Sequence, residues 1–297
     1  MTIHLSRHAM ATRFDLTVNG DDPVALRHAG EAAFEAIEQL EDLVSFFRPT
    51  SDLAAVNRWA DQQPIHVDTR LLRLLQRCKD TWAATDGAFD PTIGPITRVV
   101  RRAAHGIPQD NWTRASARAA VGFEGVDLDT NAGTVRFARP GMAIDLGGAA
   151  RGYASDCAIE VLREHGVTSA LLHSGASTVH AIGTPPGKAG WNVVWEAPPG
   201  SAAAQRVVTL VDQAVSISGL HGQSLAGELI AEGHVRDPHT GDLVIHTLAA
   251  GVVGVSALVC DMLSTALLVA GPRWLPTMEA RFPGYTGWVA EPALATA

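Results

Sequence analysis

From Leu243 to Gly271 the chain is almost wholly apolar, and no other stretch limits its folding so strongly. Only a few polar side chains interrupt it, chiefly His246, Asp261, Ser264 and Thr265. Its first half, TLAAGVVGVSA, is β-branched and broken by glycine, whereas its second half, LVCDMLSTALLVAG, consists mostly of helix formers. The change of composition predicts a buried strand followed by a buried helix rather than a membrane span. Of the 297 residues 46% are hydrophobic and 18% charged, enough apolar material for one or two cores, and this excludes a disordered chain. Length alone sets an expectation near two domains.

Elsewhere, periodicity marks a strand at RFDLTV (13 to 18), then a long amphipathic helix from Val24 to Val44. Pro49 ends that helix, Ser51 is placed to cap a short new one, and Asn57 to close it. Leu71 to Thr85 reads as another amphipathic helix, stopped by Asp86-Gly87. AFDPTIGPI is too rich in Pro and Gly for regular structure, Arg98 to Asn111 reads as a polar excursion, and Arg114 to Gly122 as a short helix. Strands are expected at Val126 to Leu128, Thr134 to Phe137 and Ala143 to Leu146. The segment from Ala143 to Ser177 then reads strand, turn, helix, strand, with a helix N-terminus at Gly147 to Gly152 suited to phosphate. WNVVWEA and RVVTLV form a hairpin, QAVSISGL a strand, and everything after Gly271 is punctuated by proline.

Four segments combine Gly, Asp, Pro and hydroxyl residues in a way that packing does not require: DGAFDPTIGP, IDLGGAARGYASD, HVRDPHTG and DMLST. Asp261 and Thr265, four apart, share one helix face, and a carboxylate with a hydroxyl is hard-cation chemistry suited to Mg²⁺. The alternative is that Asp261 caps the helix start and Thr265 bonds back to its own helix. Gly147-Gly148 lets a pyrophosphate approach the backbone, and Arg151 adds a fork of donors; as a bare turn the pair needs no ligand. Asp156 reads as a solvated helix carboxylate. There is no GxSxG, HExxH, Walker A or CxxC, and Cys78, Cys157 and Cys260 form neither a disulfide framework nor a zinc pattern. Lys plus Arg (23) against Asp plus Glu (31) gives a net charge of −8, with the arginines scattered, so nucleic acid is not the expected partner. The absence of a signal-peptide core and of a lipidation motif at MTIHLSRHAMATRFDLTV makes a cytoplasmic protein the expectation.

In this order, MATRF (10 to 14), SFFRPTSDLAAVN (45 to 57), GAFDPTIGP (87 to 95), AIDLGGAARGYASD (143 to 156), SISG (216 to 219), HVRDPHTG (234 to 241) and SALVCDMLSTALLVAG (256 to 271) resemble the ApbE family of FAD:protein FMN transferases. The resemblance implies an α/β (α+β), two-lobed, T-fold-like architecture with an FAD cleft between lobes. Residues 1–290 would form one domain of two interleaved lobes, followed by a tail at 291–297. By position, Met10, Phe47, Gly87, Ala88, Phe89, Asp145, Arg151, Ile217, Ser218 and His234 would contact FAD. The Gly148 carbonyl, Asp261 and Thr265 would hold Mg²⁺. His234 and Asp261 are the candidates for the catalytic base. The implied reaction moves FMN from FAD to a Thr or Ser hydroxyl of an acceptor flavoprotein domain and releases AMP. Arg151 stands where the family pattern has Lys, and Ile217 where it has Thr. The alternatives are a protein that binds FAD without transferring it, and a Mg²⁺-dependent FAD pyrophosphatase giving FMN and AMP.

Overall fold

The computed structural model describes residues 1–106, 113–219 and 235–293. In chain order the first half holds β1 (Thr2–Ala9), β2 (Thr12–Asn19), α1 (Pro23–Val44), α2 (Asp52–Trp59), β3 (Ile65–His66), α3 (Thr69–Ala84), α4 (Gly94–Ala104), α5 (Arg114–Ala119), β4 (Val126–Asp129) and β5 (Thr134–Phe137). The second half holds α6 (Ala150–Glu164), β6 (Ala170–Ser174), β7 (Thr178–Ile182), β8 (Trp191–Trp195), β9 (Arg206–Leu210), β10 (Ala214–Gly219), β11 (Ala249–Gly254), α7 (Ala257–Ala270), α8 (Leu275–Arg281) and β12 (Thr286–Ala290). These elements fall into two compact units, each assembled from separated segments. The first takes Met1–Gln39, Ala149–Val235 and Val244–Ala297; the second takes Leu40–Gly148 and Arg236–Leu243.

The first unit is built on a seven-stranded sheet in the order β1-β2-β6-β7-β10-β11-β12, with every neighbouring pair antiparallel. Side chains alternate across it. Val179, Val215 and Trp288 face one side, where they join Trp191, Trp195 and Leu210 of the β8–β9 hairpin in an apolar cluster. His180 and Ser216 face the other side, towards α6 and α7. Helix α7 is apolar except for Asp261, Ser264 and Thr265, and Ala257 through Ser264 are all buried, as expected of a helix packed on all sides. Helix α1 instead buries one stripe: Leu26, Ala29, Ala33, Phe34, Ile37, Leu40 and Val44.

The second unit contains α2 to α5 and a three-stranded sheet in the order β3-β5-β4. Leu53, Val56, Leu71, Leu74, Leu75, Ile96 and Phe123 are fully buried in it. Ser51 caps α2: its Oγ accepts from Ala54 N at 3.0 Å and donates to Ser45 O at 2.6 Å. Ser51→Ala should therefore cost about 1 kcal/mol of stability, measured by chemical denaturation, because Ala54 N and Ser45 O each lose a part-buried bond.

Several expectations are corrected. Asn57 does not close α2; it lies inside the helix, where its side chain donates to Ile144 O at 2.8 Å and accepts from Ile144 N at 2.7 Å. Those two bonds occupy the Ile144 backbone, and Ala143 to Leu146 has no regular structure and joins no sheet. The strand-turn-helix-strand unit accordingly lacks its first strand, and β6 pairs antiparallel with β2 and β7. AFDPTIGPI is not irregular throughout: a 3-10 turn at Pro91–Ile93 leads into α4, with Pro95 in the first turn, where its missing N–H costs nothing. The polar excursion from Arg98 is largely that helix, and residues 107–112 lie outside the described residues. The chain after Gly271 forms α8 and β12, the latter pairing with β11. β1, not anticipated from the sequence, pairs with β2 along its full length.

Candidate functional site

In the first unit the chemistry gathers where α6, α7 and β10 meet. Asp261 is not a cap; Ser256 caps α7, and Asp261 stands one turn inside it, 2% exposed. Its Oδ2 accepts from Gly152 N at 3.2 Å and its Oδ1 from Ser216 Oγ at 3.2 Å. Both bonds are long for a carboxylate, and among the described residues no cation lies within ion-pair distance. Burial pushes the Asp261 carboxyl above its ordinary range, against the pull of the Arg151 charge and of the Gly152 and Ser216 bonds. Thr265 does bond back, its Oγ1 donating to Asp261 O at 3.0 Å, but the same oxygen lies 3.2 Å from Ser218 Oγ. Ser218 also meets Ser264 Oγ at 2.9 Å. The result is one buried carboxylate beside a patch of hydroxyls.

Arg151 enters from the first turn of α6, close enough to act on Asp261 electrostatically. Its Nε is buried and has no hydrogen-bond partner among the described residues. An under-bonded buried carboxylate, neighbouring hydroxyls and an orphaned guanidinium nitrogen fit a hard cation together with an anionic oxygen. Among the described residues no group of three or more His, Cys, Asp and Glu side chains could hold a metal alone. That donor set suits Mg²⁺, which usually takes one or two carboxylates plus substrate phosphate oxygens. Ile217, between Ser216 and Ser218, turns its side chain to the opposite face of the sheet and packs on the apolar cluster of Trp288. It therefore does not join Ser218 beside Asp261. Met10 and Ala11 form the β1–β2 turn with φ of 50° and 56°, the left-handed pair that a two-residue hairpin turn needs but that non-glycine residues adopt at a cost.

In the second unit Phe47 is exposed, with the Arg101 guanidinium 4.2 Å from its ring centroid and Phe46 packed edge-on at 5.2 Å. It lines a cavity of about 320 Å³ with Phe46, Asn57, Arg58 and Arg98. Burial lowers the Arg98 pKa and the Asp145 charge opposes this. Gly87 has φ of 81°, and a Cβ there would stand 3.1 Å from His239 Nε2, which itself lies 3.0 Å from Asp86 O. His239 thus joins the DPHTG turn to the Gly87 corner, a role the sequence did not single out. Ala88 and Phe89 are buried and act as interior packing. The Asp145 side chain accepts from Gly147 N at 2.9 Å and so shapes the turn that carries Gly148. His234 lies outside the described residues.

Two further residues escaped sequence reasoning. Asp156 is not a freely solvated carboxylate; about a quarter of its side chain is exposed, and it accepts from Ser256 Oγ at 2.6 Å, Ala257 N at 2.7 Å and Leu258 N at 3.1 Å. Cys260 is buried, and burial, followed by the charges of Asp156 and Asp261, pushes its thiol well up, so it is no nucleophile.

The sequence profile of the ApbE family matches residues 10–286. A protein of Treponema pallidum named FAD:protein FMN transferase is 30% identical over 281 residues, covering 88% of this chain and 77% of that one. A protein of the same name from Klebsiella pneumoniae is 29% identical over 243 residues, covering 80% and 74%. Among solved structures, the ApbE protein of Thermotoga maritima superposes with a TM-score of 0.81 at 23% identity, covering 99% of this chain and 97% of that one. The flavin transferase ApbE of Vibrio cholerae gives 0.79 at 20%, covering 97% of each chain. These two share the mixed α/β fold, and the profile match over nearly the full chain settles the family: the chain belongs to the ApbE family.

Proposed function

We propose that residues 1–290 act as one Mg²⁺-dependent FAD:protein FMN transferase domain, which moves FMN from FAD to a Thr or Ser hydroxyl of an acceptor flavoprotein and releases AMP. The observation that carries this reading is the buried, under-bonded Asp261 carboxylate with the Thr265 hydroxyl and the unpartnered Arg151 Nε beside it. The relatives' names supply the reaction, and the local chemistry is what that reaction needs.

In the transfer, the acceptor hydroxyl oxygen forms a bond to the FMN phosphorus as the bond from that phosphorus to the bridging oxygen breaks. AMP leaves with the bridging oxygen. Charge builds on the pyrophosphate oxygens, and bound Mg²⁺ supplies Lewis-acid neutralisation of that charge. Asp261 and Thr265 would hold the cation, together with the Gly148 carbonyl. Arg151 offers its orphaned Nε to a phosphate oxygen, next to the α6 N-terminus, whose amides favour negative charge. Because Arg keeps its proton, this residue binds charge and does not move protons. His234 remains the candidate to accept the hydroxyl proton. Phe47 offers an exposed ring to one of the planar ring systems of FAD.

The products distinguish this from its alternatives. With FAD, Mg²⁺ and an acceptor domain, AMP release should depend on the acceptor. AMP and free FMN without acceptor would mean hydrolysis, and intact bound FAD would mean binding alone. We further propose a cytoplasmic site of action. Among the described residues no helix is long and apolar enough to cross a membrane.

A further inference from the structure

Helices α6 and α7 are latched at two points. At the first, Gly152 N donates to Asp261 Oδ2, and the helices approach so closely that a Cβ on Gly152 would lie 2.5 Å from Ala257 O. At the second, one turn further along α6, Asp156 uses both carboxylate oxygens on the start of α7. Oδ1 accepts from Ala257 N, while Oδ2 accepts from Ser256 Oγ and Leu258 N. His180 Nδ1, on β7, lies 3.2 Å from the same Oδ1 and is almost fully buried. One side chain therefore fixes the first turn of α7 against α6 and abuts the sheet. Asp261 stands one turn downstream of that anchor.

The negative carboxylate also faces the positive end of the α7 dipole, which adds to the hold. Neither latch resembles packing that any apolar pair would supply. Away from the face that carries Asp261, Ser264 and Thr265 the surface of α7 is apolar, and apolar packing resists sliding or rotation less than directional bonds do, so the polar anchors set its register.

We propose that Asp156 is a positioning residue for the cation site: by anchoring Ser256, Ala257 and Leu258 it sets the height and rotation at which Asp261 and Thr265 present their oxygens. This builds on the reading of Asp261 and Thr265 as metal ligands. Its effect is on cation affinity, not on the fold alone.

The test uses the full chain and Mn²⁺ as probe, with binding followed by the electron paramagnetic resonance signal of the free ion. A parallel series measures the Mg²⁺ and FAD concentrations that half-saturate transfer. Removal of a residue that orients a metal ligand typically costs about 10–100-fold in metal affinity. Asp156→Ala should therefore weaken Mn²⁺ binding and raise half-saturating Mg²⁺ by at least about tenfold, with half-saturating FAD little changed. Asp156→Asn, which keeps one acceptor oxygen for the α7 amides, should fall between Asp156→Ala and the parent. Should Asp156→Ala fail to fold, Ser256→Ala removes one of the three bonds and should shift Mn²⁺ affinity in the same direction by a smaller factor. Folded variants with lowered melting temperature but parental Mn²⁺ affinity would overturn the proposal, since Asp156 would then serve stability only. A parent chain that binds no Mn²⁺ would instead overturn the metal reading itself, and the positioning role with it.

Discussion

Asp261→Asn should lower flavin transfer by at least about 10²-fold while leaving the metal-free protein as stable as the parent or more so. The two halves of this result come from one fact, the burial of an anion without a cation among the described residues to pair with it. Asn keeps the shape. Its carbonyl can still accept from Gly152 N, and its amide can donate to Ser216 Oγ, so no polar partner is left orphaned. What is lost is the charge that a hard cation requires. The pH dependence follows with a definite sign. The folded Asp261 carboxyl holds its proton more tightly than an ordinary carboxyl of value 3.8, so between that value and its own raised one the native state binds more protons than the unfolded chain. Its contribution to metal-free stability is fully present below that window and is lost as pH rises through it. In Asp261→Asn this contribution disappears, and the stabilisation by Mg²⁺ at neutral pH should disappear too. Thermal melts at several pH values, with Mg²⁺ or with chelator, would check both. A variant that loses stability and keeps its Mg²⁺ response would contradict the assignment.

Gly152→Ala should damage both stability and turnover, for a different reason. The added Cβ would meet Ala257 O at 2.5 Å and Leu258 Cα at 2.7 Å, backbone atoms that cannot rotate aside. The helices must separate, which costs roughly 1–3 kcal/mol as overpacking does, several degrees of Tm in a chain of this size. The same movement pulls Gly152 N from Asp261 Oδ2 and shifts the carboxylate from Arg151. The expected result is a lower Tm together with a raised Mg²⁺ requirement, read by calorimetry and by metal titration of the transfer rate. Parental behaviour in both would show that the α6–α7 contact yields more easily than its geometry implies.

What the sequence revealed, and what it hid, follows from the range of the forces involved. Helices α1 and α3, the β8–β9 hairpin and the β11–α7 pair were legible because their patterns are local: an apolar stripe at helical spacing, alternation, or a change from β-branched to helical composition. Helix α4 was hidden because Pro and Gly, usually breakers, here open a helix. The segment around Ile144 resembles a strand in sequence but is none, because its backbone partner is an Asn side chain 87 residues away and not a neighbouring strand.

Sites show the same division. The spacing of Asp261 and Thr265 is local and could be read directly. The role of Asp156 depends on Ser256, 100 residues away, so in sequence it looks like any surface acid. The direction of Ile217 is set by the register of β10 against β7 and β11, which no motif encodes; the SISG match alone placed it beside Ser218. His239 stands in a recognisable turn, and its packing on Gly87 appears only in three dimensions.

The intact mass of an acceptor domain, taken after incubation with the full chain and FAD, tests flavin transfer most directly. With Mg²⁺ the acceptor should gain one FMN less one water at a single Thr or Ser, with an equal amount of AMP appearing; with chelator, or with Asp261→Asn, neither should appear. An acceptor that stays unmodified while FAD is cleaved or simply retained, or one that is modified equally in the presence of chelator, would contradict Mg²⁺-dependent FMN transfer.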